Sequence, residues 1–506
     1  MAQRHTQAQR HTQRFSSRWG LVMATLGMAI GAGNIWRFPR VAARNGGGAF
    51  LIPWLLAIVF WSAPLLMIEF GLGKATRKGP VAALATVLGK RRAWMGAFVA
   101  LVTSFIMFYY SVVTGWSAWY FLASITRFDA LSGAPQTAWH TLTGGSIWAV
   151  LFHVTAAVGA ALILVRGVVS GVERVCKVLV PLLLVLLLAA AIRSLTLPGG
   201  ITGLEFLFHV DGSKLARADT WLAALSQSAW STGAGWGLML TYGAYARKNE
   251  DVALNSTITA VGNNAASILA AMAILPAIFA LSTSTDQAMA ITGSDNTGLA
   301  FIWVPRLFAR MPAGGALFAA LFFAALTAAS FSSLLAMMAM ATQVVQDLGL
   351  PRKKALALVA GATIIVGLPS ALSLRFFENQ DWVWGLGLLV SGGLFAMAAI
   401  SHRNFRKDWI NTEGADWRVG PWLDVMVRYV IPVEFVALLG WWFYQSITTY
   451  APHQWWNPLS TFSVGTCIVQ WGIALIALIA LSTWLYRRST LGRTDERPSS
   501  DEGASS

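Results

Sequence analysis

The sequence predicts an all-α polytopic membrane protein with twelve transmembrane helices, the first and sixth of them broken. Three observations carry that prediction. Of 506 residues, 56% are hydrophobic and only 12% charged, with a mean hydropathy of +0.58. A soluble domain carries about 25% charged residues, so half the expected charge is missing. The apolar residues gather into runs close to the ~20 residues that cross a bilayer, and two of those runs are interrupted by glycine clusters.

The runs fall at about 17–44, 49–73, 94–126, 146–165, 170–194, 219–246, 252–283, 315–347, 354–373, 381–401, 426–449 and 463–486. They are spans 1 to 12 below. The segments after spans 2, 4, 6, 8, 10 and 12 are rich in Lys and Arg, for example Lys90-Arg91-Arg92 and Arg352-Lys353-Lys354. The alternate segments are poorer, so the positive-inside bias puts both termini in the cytoplasm. The +15 net charge is therefore a topology signal spread over short loops, and no soluble basic domain for nucleic acid is indicated. The 24 Trp and 27 Phe suit aromatic belts at a bilayer surface. Cys176 and Cys467 lie in apolar runs and read as buried hydrophobes, with no disulfide framework or metal site indicated. No small-residue cleavage site marks a removable signal peptide near the N-terminus. The stretch from Thr283 to Gly314 reads as a folded outer loop with short helices, and Arg487–Ser506 as a disordered tail.

The glycine clusters are Gly27-Met28-Ala29-Ile30-Gly31-Ala32-Gly33-Asn34 in span 1 and Ser231-Thr232-Gly233-Ala234-Gly235-Trp236-Gly237 in span 6. Each interior Gly costs roughly 1 kcal/mol relative to Ala, so such clusters invite the backbone to unwind. Unwound backbone at bilayer depth is tolerated where it lines a cavity or is buried in protein. One cluster alone reads equally well as close helix packing. Interruptions in both the first and the sixth span match an inverted five-helix repeat with a binding site between the repeats.

The residues also carry a specific likeness. Arg18-Trp19-Gly20, Gly31-Ala32-Gly33-Asn34-Ile35-Trp36-Arg37-Phe38-Pro39 and Asn45-Gly46-Gly47-Gly48-Ala49-Phe50 resemble the signature of the neurotransmitter:sodium symporters. Gly171-Val172-Glu173-Arg174, Thr241-Tyr242-Gly243-Ala244-Tyr245 and Pro351-Arg352-Lys353-Lys354 extend the resemblance over roughly residues 14 to 486. It implies a cytoplasmic segment 1–16, a first repeat 17–194, a second repeat 219–401, two further helices in 426–486, and a cytoplasmic tail 487–506.

The same resemblance implies the site. A first Na⁺ would be held by the Ala29 carbonyl, Asn34, Ser231, Asn263 and the substrate carboxylate. A second would lie on the carbonyls of Gly27, Ile30 and Ala329 with the hydroxyls of Ser332 and Ser333. Thr327-Ala328 mimics the family's phrase in span 8, but counting from Gly315 and from Asp347 puts the hydroxyl pair at Ser332-Ser333. The Gly33 amide and the Tyr110 hydroxyl would bind a carboxylate, and the carbonyls of Ala29, Trp230 and Ser231 an ammonium group. Met28, Ala32, Ile106, Gly233, Trp236, Ser333 and Met337 complete the expected pocket. Monoamine members carry an acid where this chain has Gly31, which points to an amino acid that brings its own negative charge. Trp236 stands where some members have a smaller aromatic ring, which suggests a small substrate such as glycine or alanine.

Burying charge in a membrane is costly, so Arg37, Glu69 and Asp381 are functional candidates. Arg37 and Asp381 match the family's outer gate, and Glu69 a carboxylate that braces span 6. At the inner gate Asp347 and Tyr245 are present. The partner arginine and tryptophan fall on Thr12 and Phe15, with Arg10 or Arg14 as substitutes. Bacterial members usually place an acid one helical turn beyond the span-7 asparagine; here that position is Ser267, as in animal members that bind Cl⁻. A chloride site would then comprise Gln227, Ser231, Asn263 and Ser267, with the Trp54 indole as a fifth donor. The alternative is that the substrate carboxylate and Glu69 suffice.

The expectation is a Na⁺-coupled carrier for a neutral amino acid in a bacterial inner (plasma) membrane, working by alternating access. Its rivals are a proton-coupled or uncoupled carrier on the same fold and a transport-dead sensor. An intramembrane enzyme needs a nucleophile–base pair or metal cluster within the spans, and His153 supplies neither.

Overall fold

The computed structural model describes residues 14–293, 298–311 and 313–491. Within them the chain is helical throughout, apart from one isolated bridge between Gly47 and Val210. Eight continuous helices are long and apolar enough to cross a membrane: Gly48–Thr76, Lys90–Thr126, Ile147–Val165, Val169–Leu195, Val252–Leu281, Gly315–Asp347, Arg352–Leu372 and Leu374–Ser401. Two bent pairs raise the number to ten, Arg18–Ala29 with Gly33–Arg44 at 55° and Val464–Ala480 with Ser482–Thr490 at 60°. Expected span 6 is divided into Ala218–Ser231 and Leu238–Ala244, each too short to cross alone. Expected span 11 falls on the helical run from Trp422 to Tyr450, which carries Asp424, Arg428 and Glu434. Neither is among the ten.

Local chemistry accounts for the differences from the expected ends. Span 10 begins at Leu374 because Ser373 both ends span 9 and caps the next helix, accepting from the Phe376 amide at 3.3 Å. Hydropathy hides that start, since Arg375, Glu378, Asn379 and Gln380 fill its first turns. The final helix also runs past its expected end, through Arg487–Leu491. Its bend lies where the Ser482 hydroxyl donates to the Lys90 carbonyl at 2.8 Å. The rest of the expected tail lies outside the described residues. The outer segment after span 7 does fold into short helices, Thr285–Thr292 and Leu299–Phe308.

Both glycine-rich breaks are real interruptions. In span 1 the helix stops at Ala29 and Ile30 turns extended, with ψ 95°. The Gly31 amide, deprived of a helical partner, donates to the Asn34 side chain at 2.9 Å. In span 6 the link between the half-helices has Gly233, Gly235 and Gly237 at φ of 76°, 90° and 73°. That left-handed backbone costs residues with a Cβ roughly 1–2 kcal/mol each, so the sequence supplies Gly at all three. The carboxylate of Glu69, fully buried in span 2, accepts from the Gly235 amide at 2.5 Å. The amides of Gly237, Met239 and Leu240 lie around the same carboxylate. A buried acidic side chain thus anchors backbone that no helix satisfies.

Candidate functional site

Between the two breaks lies a cavity of about 530 Å³. Met28, Ala29, Gly31 and Gly33 from span 1, Ile106 and Tyr110 from span 3, Trp230, Ser231, Gly233 and Trp236 from span 6, and Ser333 from span 8 line its inner part. Ten of the twelve expected pocket residues are therefore together. Ala32 and Met337 are buried outside the cavity wall. The Tyr110 hydroxyl accepts from the Ala32 amide at 2.9 Å, which fixes the ring against the break. A Cβ at Gly31 would lie 2.6 Å from that hydroxyl and 3.0 Å from the Ser333 hydroxyl, so position 31 admits no side chain in this arrangement. At Gly33 a Cβ would meet nothing within 4 Å, and its backbone borders the cavity. Trp236 is held by its carbonyl, which accepts from Thr103 at 2.7 Å, and its indole forms a cavity wall.

A polar cluster sits against that wall. Asn34 donates to the Asn263 side-chain oxygen at 2.7 Å and to Ser267 at 2.8 Å. The same Asn263 oxygen faces the carbonyl oxygens of Ser231 at 2.9 Å and Ala29 at 3.0 Å. Three oxygens at that separation repel one another unless a cation neutralises them or the amide turns over and donates. Hard cations are bound by oxygen cages of this kind, so the donor set fits Na⁺. Ser332 and Ser333 are both buried. Ser332 donates to the Ala329 carbonyl at 3.0 Å, and Ser333 reaches across to the Met28 carbonyl of span 1 at 3.2 Å. Thr327, the look-alike, bonds only its own helix, at the Phe323 carbonyl. Counting rather than local resemblance thus selects the residue that meets span 1.

Gln227, which lines the cavity, is buried with neither its amide nitrogen nor its oxygen hydrogen-bonded, and the Trp54 indole N–H is likewise buried without a partner. Orphaned buried polar groups are uncommon and call for an unseen partner. The Gln227 and Trp54 donors suit an anion, though no contact between them brings the five expected residues into one shell.

Above the inner chamber the cavity widens past Arg37, Arg40, Arg44, Asp381 and Tyr450. Arg37 and Asp381 both line it but do not pair: the Arg37 guanidinium lies 3.5 Å over the Trp230 ring, and Asp381 accepts from Tyr109 at 2.9 Å. Trp230 in turn stacks on Trp442, with centroids 5.2 Å apart and planes at 14°. Tyr109, Arg40 and Arg44 were not singled out from the sequence. The arginines could have been found by their i, i+3 and i+7 spacing from Arg37.

At the end of the bundle where the described chain begins, side chains pack and bond in a layer. Phe15 is buried edge-on against Tyr242, its amide donates to the Tyr245 carbonyl at 3.2 Å, and Arg247 donates to the Phe15 carbonyl at 3.0 Å. The Tyr245 hydroxyl bonds Gln343, which donates to Asp347 at 3.0 Å, and Asp347 accepts from the Gly79 amide at 2.7 Å. Arg14 is exposed, while Arg10 and Thr12 lie outside the described residues.

Comparison with known proteins agrees with this geometry. The model of the sodium:neurotransmitter symporter family matches residues 12–141 and 140–490. An uncharacterised sodium-dependent transporter of Methanocaldococcus jannaschii is 33% identical over 443 residues, covering 85% of this chain and 86% of the relative. One from Bacillus subtilis is 28% identical over 455 residues, covering 84% and 97%. The crystal structure of MhsT in complex with L-phenylalanine matches with a TM-score of 0.74 at 27% identity, over 84% of this chain and 98% of that one. These relatives are transporters rather than enzymes, and a multi-pass helical fold with broken first and sixth spans is common ground for sequence and structure. The chain belongs to the sodium:neurotransmitter symporter family.

Proposed function

We propose that the chain is a Na⁺-coupled symporter that imports a neutral amino acid by alternating access. The observation that carries this is the convergence of Ala29, Asn34 and Ser231 at the cavity wall, with Asn263 behind them bonded to Asn34 and Ser231, beside the Tyr110 hydroxyl and the Gly33 backbone. Ala29, Asn34, Ser231 and Asn263 would hold a first Na⁺, with the substrate carboxylate completing the shell. Gly27, Ile30, Ala329, Ser332 and Ser333 would hold a second, linking span 1 to span 8. Na⁺ supplies the positive charge that lets an amino-acid carboxylate sit in a buried site. Trp230 and Ser231 carbonyls take the ammonium group, and Arg37, Asp381 and Trp230 close the outer side.

Three finer readings belong to this proposal. Spans 6 and 11 complete twelve crossings in two inverted repeats, with both termini cytoplasmic in a bacterial inner membrane. The substrate is small, glycine or alanine, because the Trp236 indole fills the wall that a longer side chain would need. Chloride binds at Gln227, Ser231, Asn263 and Ser267 with Trp54. The orphaned Gln227 and Trp54 atoms support it.

The test is uptake of labelled amino acids into proteoliposomes. Replacing external Na⁺ by choline should abolish it, whereas uptake that persists, or that follows a proton gradient instead, overturns the proposal. A thermal-shift series with glycine, alanine, leucine and phenylalanine, with and without Na⁺, identifies the substrate. A Na⁺-dependent shift with phenylalanine alone would overturn the small-substrate reading.

A further inference from the structure

Span 7 carries a row of buried polar residues that continues past Asn263 and Ser267 of the central cluster to Asp251, which caps the helix by accepting from the Leu254 amide at 2.8 Å. Asp251, Asn255, Ser256, Thr259, Asn263 and Ser267 are each at most 1% exposed. Most recur at every fourth position, so they form one stripe winding slowly around the helix. At 1.5 Å per residue, the stripe runs about 18 Å from Asn263 at the central polar cluster to Asp251 at the cytoplasmic end of the span. Its inner part faces the inner half of span 1, where the Thr259 and Thr25 hydroxyl oxygens lie 2.9 Å apart. Thr25 is itself completely buried.

Simple helix packing does not account for the row. Thr259 and Ser267 are satisfied by carbonyls of their own helix, but the Asn255 side-chain oxygen and the Ser256 hydroxyl are buried without any partner. Leaving such a group unpaired is destabilising, and apolar side chains there would avoid the cost. Between Thr259 and Asn263 the row is interrupted by one apolar contact. Leu26 of span 1 seats against Gly262, and a Cβ at that glycine would lie 2.5 Å from the Leu26 side chain. Thr25 and Leu26 both belong to the segment Arg18–Ala29, which the break at Ile30 separates from the outer half of span 1 by a 55° bend.

We infer that the seam between spans 1 and 7 is a hydrated exit path by which a cation leaves the central cluster for the cytoplasm, with Leu26 on Gly262 as its plug. Movement of Arg18–Ala29 away from span 7 withdraws Thr25 and Leu26 together. Thr259, Ser256 and Asn255 then offer oxygens to a departing cation and its waters over the stretch where a bare apolar wall would strand it. The inference rests on the proposed Na⁺ coupling and adds a route to it.

Two measurements test it in the full-length chain. The first places Ser256→Cys in a background where Cys176 and Cys467 are replaced by Ser and Ala, and probes it with a hydrophilic, membrane-impermeant thiol reagent from the cytoplasmic side. Labelling should be several-fold faster in K⁺ medium than in Na⁺ with substrate. A thiol equally unreactive in both media overturns the path. The second measures ²²Na⁺ flux in proteoliposomes without substrate. Leu26→Ala should raise this leak several-fold, and a leak equal to that of the parent removes the plug. Failure of Na⁺ coupling itself shows separately, as uptake unaffected by choline. Na⁺-dependent uptake together with an unlabelled Ser256→Cys variant and a tight Leu26→Ala variant refutes the exit path alone.

Discussion

The break in span 6 permits a comparison in which one glycine serves as control for another. Gly233 and Gly235 both have left-handed backbone, at φ 76° and 90°, so Ala at either pays the same conformational cost of about 1–2 kcal/mol. Their surroundings differ. A Cβ at 233 would have only the Met28 methyl near it, at 3.7 Å, an ordinary contact. A Cβ at 235 would stand 3.1 Å from the Gly392 backbone and from the Leu388 carbonyl, and neither can swing away as a side chain would. Overpacking of that kind costs about 1–3 kcal/mol. Any shift that relieves it also stretches the Gly235 amide from the buried Glu69 side chain, a bond worth about 0.5–1.5 kcal/mol. Gly235→Ala should therefore destabilise the protein by at least about 1 kcal/mol more than Gly233→Ala. The assay is the thermal unfolding midpoint in detergent without substrate. A Glu69→Gln background supplies the internal check: if the loss runs through this bond, Gly235→Ala costs less there than in the parent. Equal midpoints for the two single variants, or additive losses with Glu69→Gln, would refute the claim that Glu69 anchors the break.

Further expectations concern ions and substrate. Asn34→Ala, Ser231→Ala and Ser333→Ala should each raise the Na⁺ concentration for half-maximal uptake, and three folded variants with unchanged Na⁺ dependence would dismiss the ligand assignment. Trp236→Phe should widen the range of accepted amino acids toward larger side chains, read as competition against labelled glycine or alanine. An unaltered range would show that the indole does not set the limit. Uptake at constant Na⁺ should be slower in gluconate than in chloride, and Ser267→Glu should abolish that difference. Equal rates for the parent chain in both media would rule the chloride site out.

The positions of the spans were legible because hydropathy reports burial in lipid directly, and the breaks because glycine clusters are costly in helices. Span 10 shows the limit of that signal: a helix that begins Leu374-Arg375-Phe376-Phe377-Glu378 gives Phe377, Glu378 and Asp381 to the cavity wall and does not look like a membrane segment. The serine pair of span 8 was legible by counting, since a rigid helix transmits register over its whole length. The outer gate was legible as residues but not as geometry. The family resemblance sets Arg37 and Asp381 together as an outer gate, whereas in the structure a tryptophan face and a tyrosine hydroxyl take them. Which of two available partners a guanidinium chooses depends on spacing across helices that sequence does not encode locally. The seam on span 7 was hidden for another reason. Ser, Thr and Asn at fourth positions usually bond their own helix, and only the buried orphans at Asn255 and Ser256 separate this row from that ordinary case.

The two ends of the central cavity are held by different kinds of force, and this bears on how the cycle would be timed. At the end near Phe15, a layer of Phe15, Tyr242, Tyr245, Gln343, Asp347, Gly79 and Arg247 is joined by hydrogen bonds and an edge-on ring contact. Opening it breaks several bonds at once, each worth about 0.5–1.5 kcal/mol, so it should yield only when the ligands gain more than that in the other state. At the outer end, Arg37 keeps a cation–π contact with Trp230 and Asp381 a single tyrosine bond. Joining the two across the cavity exchanges those contacts for an ion pair, a change with a small net free energy. Under the proposed alternating access, an outer gate held by two single contacts and an inner layer held by several hydrogen bonds would keep both ends from standing open together.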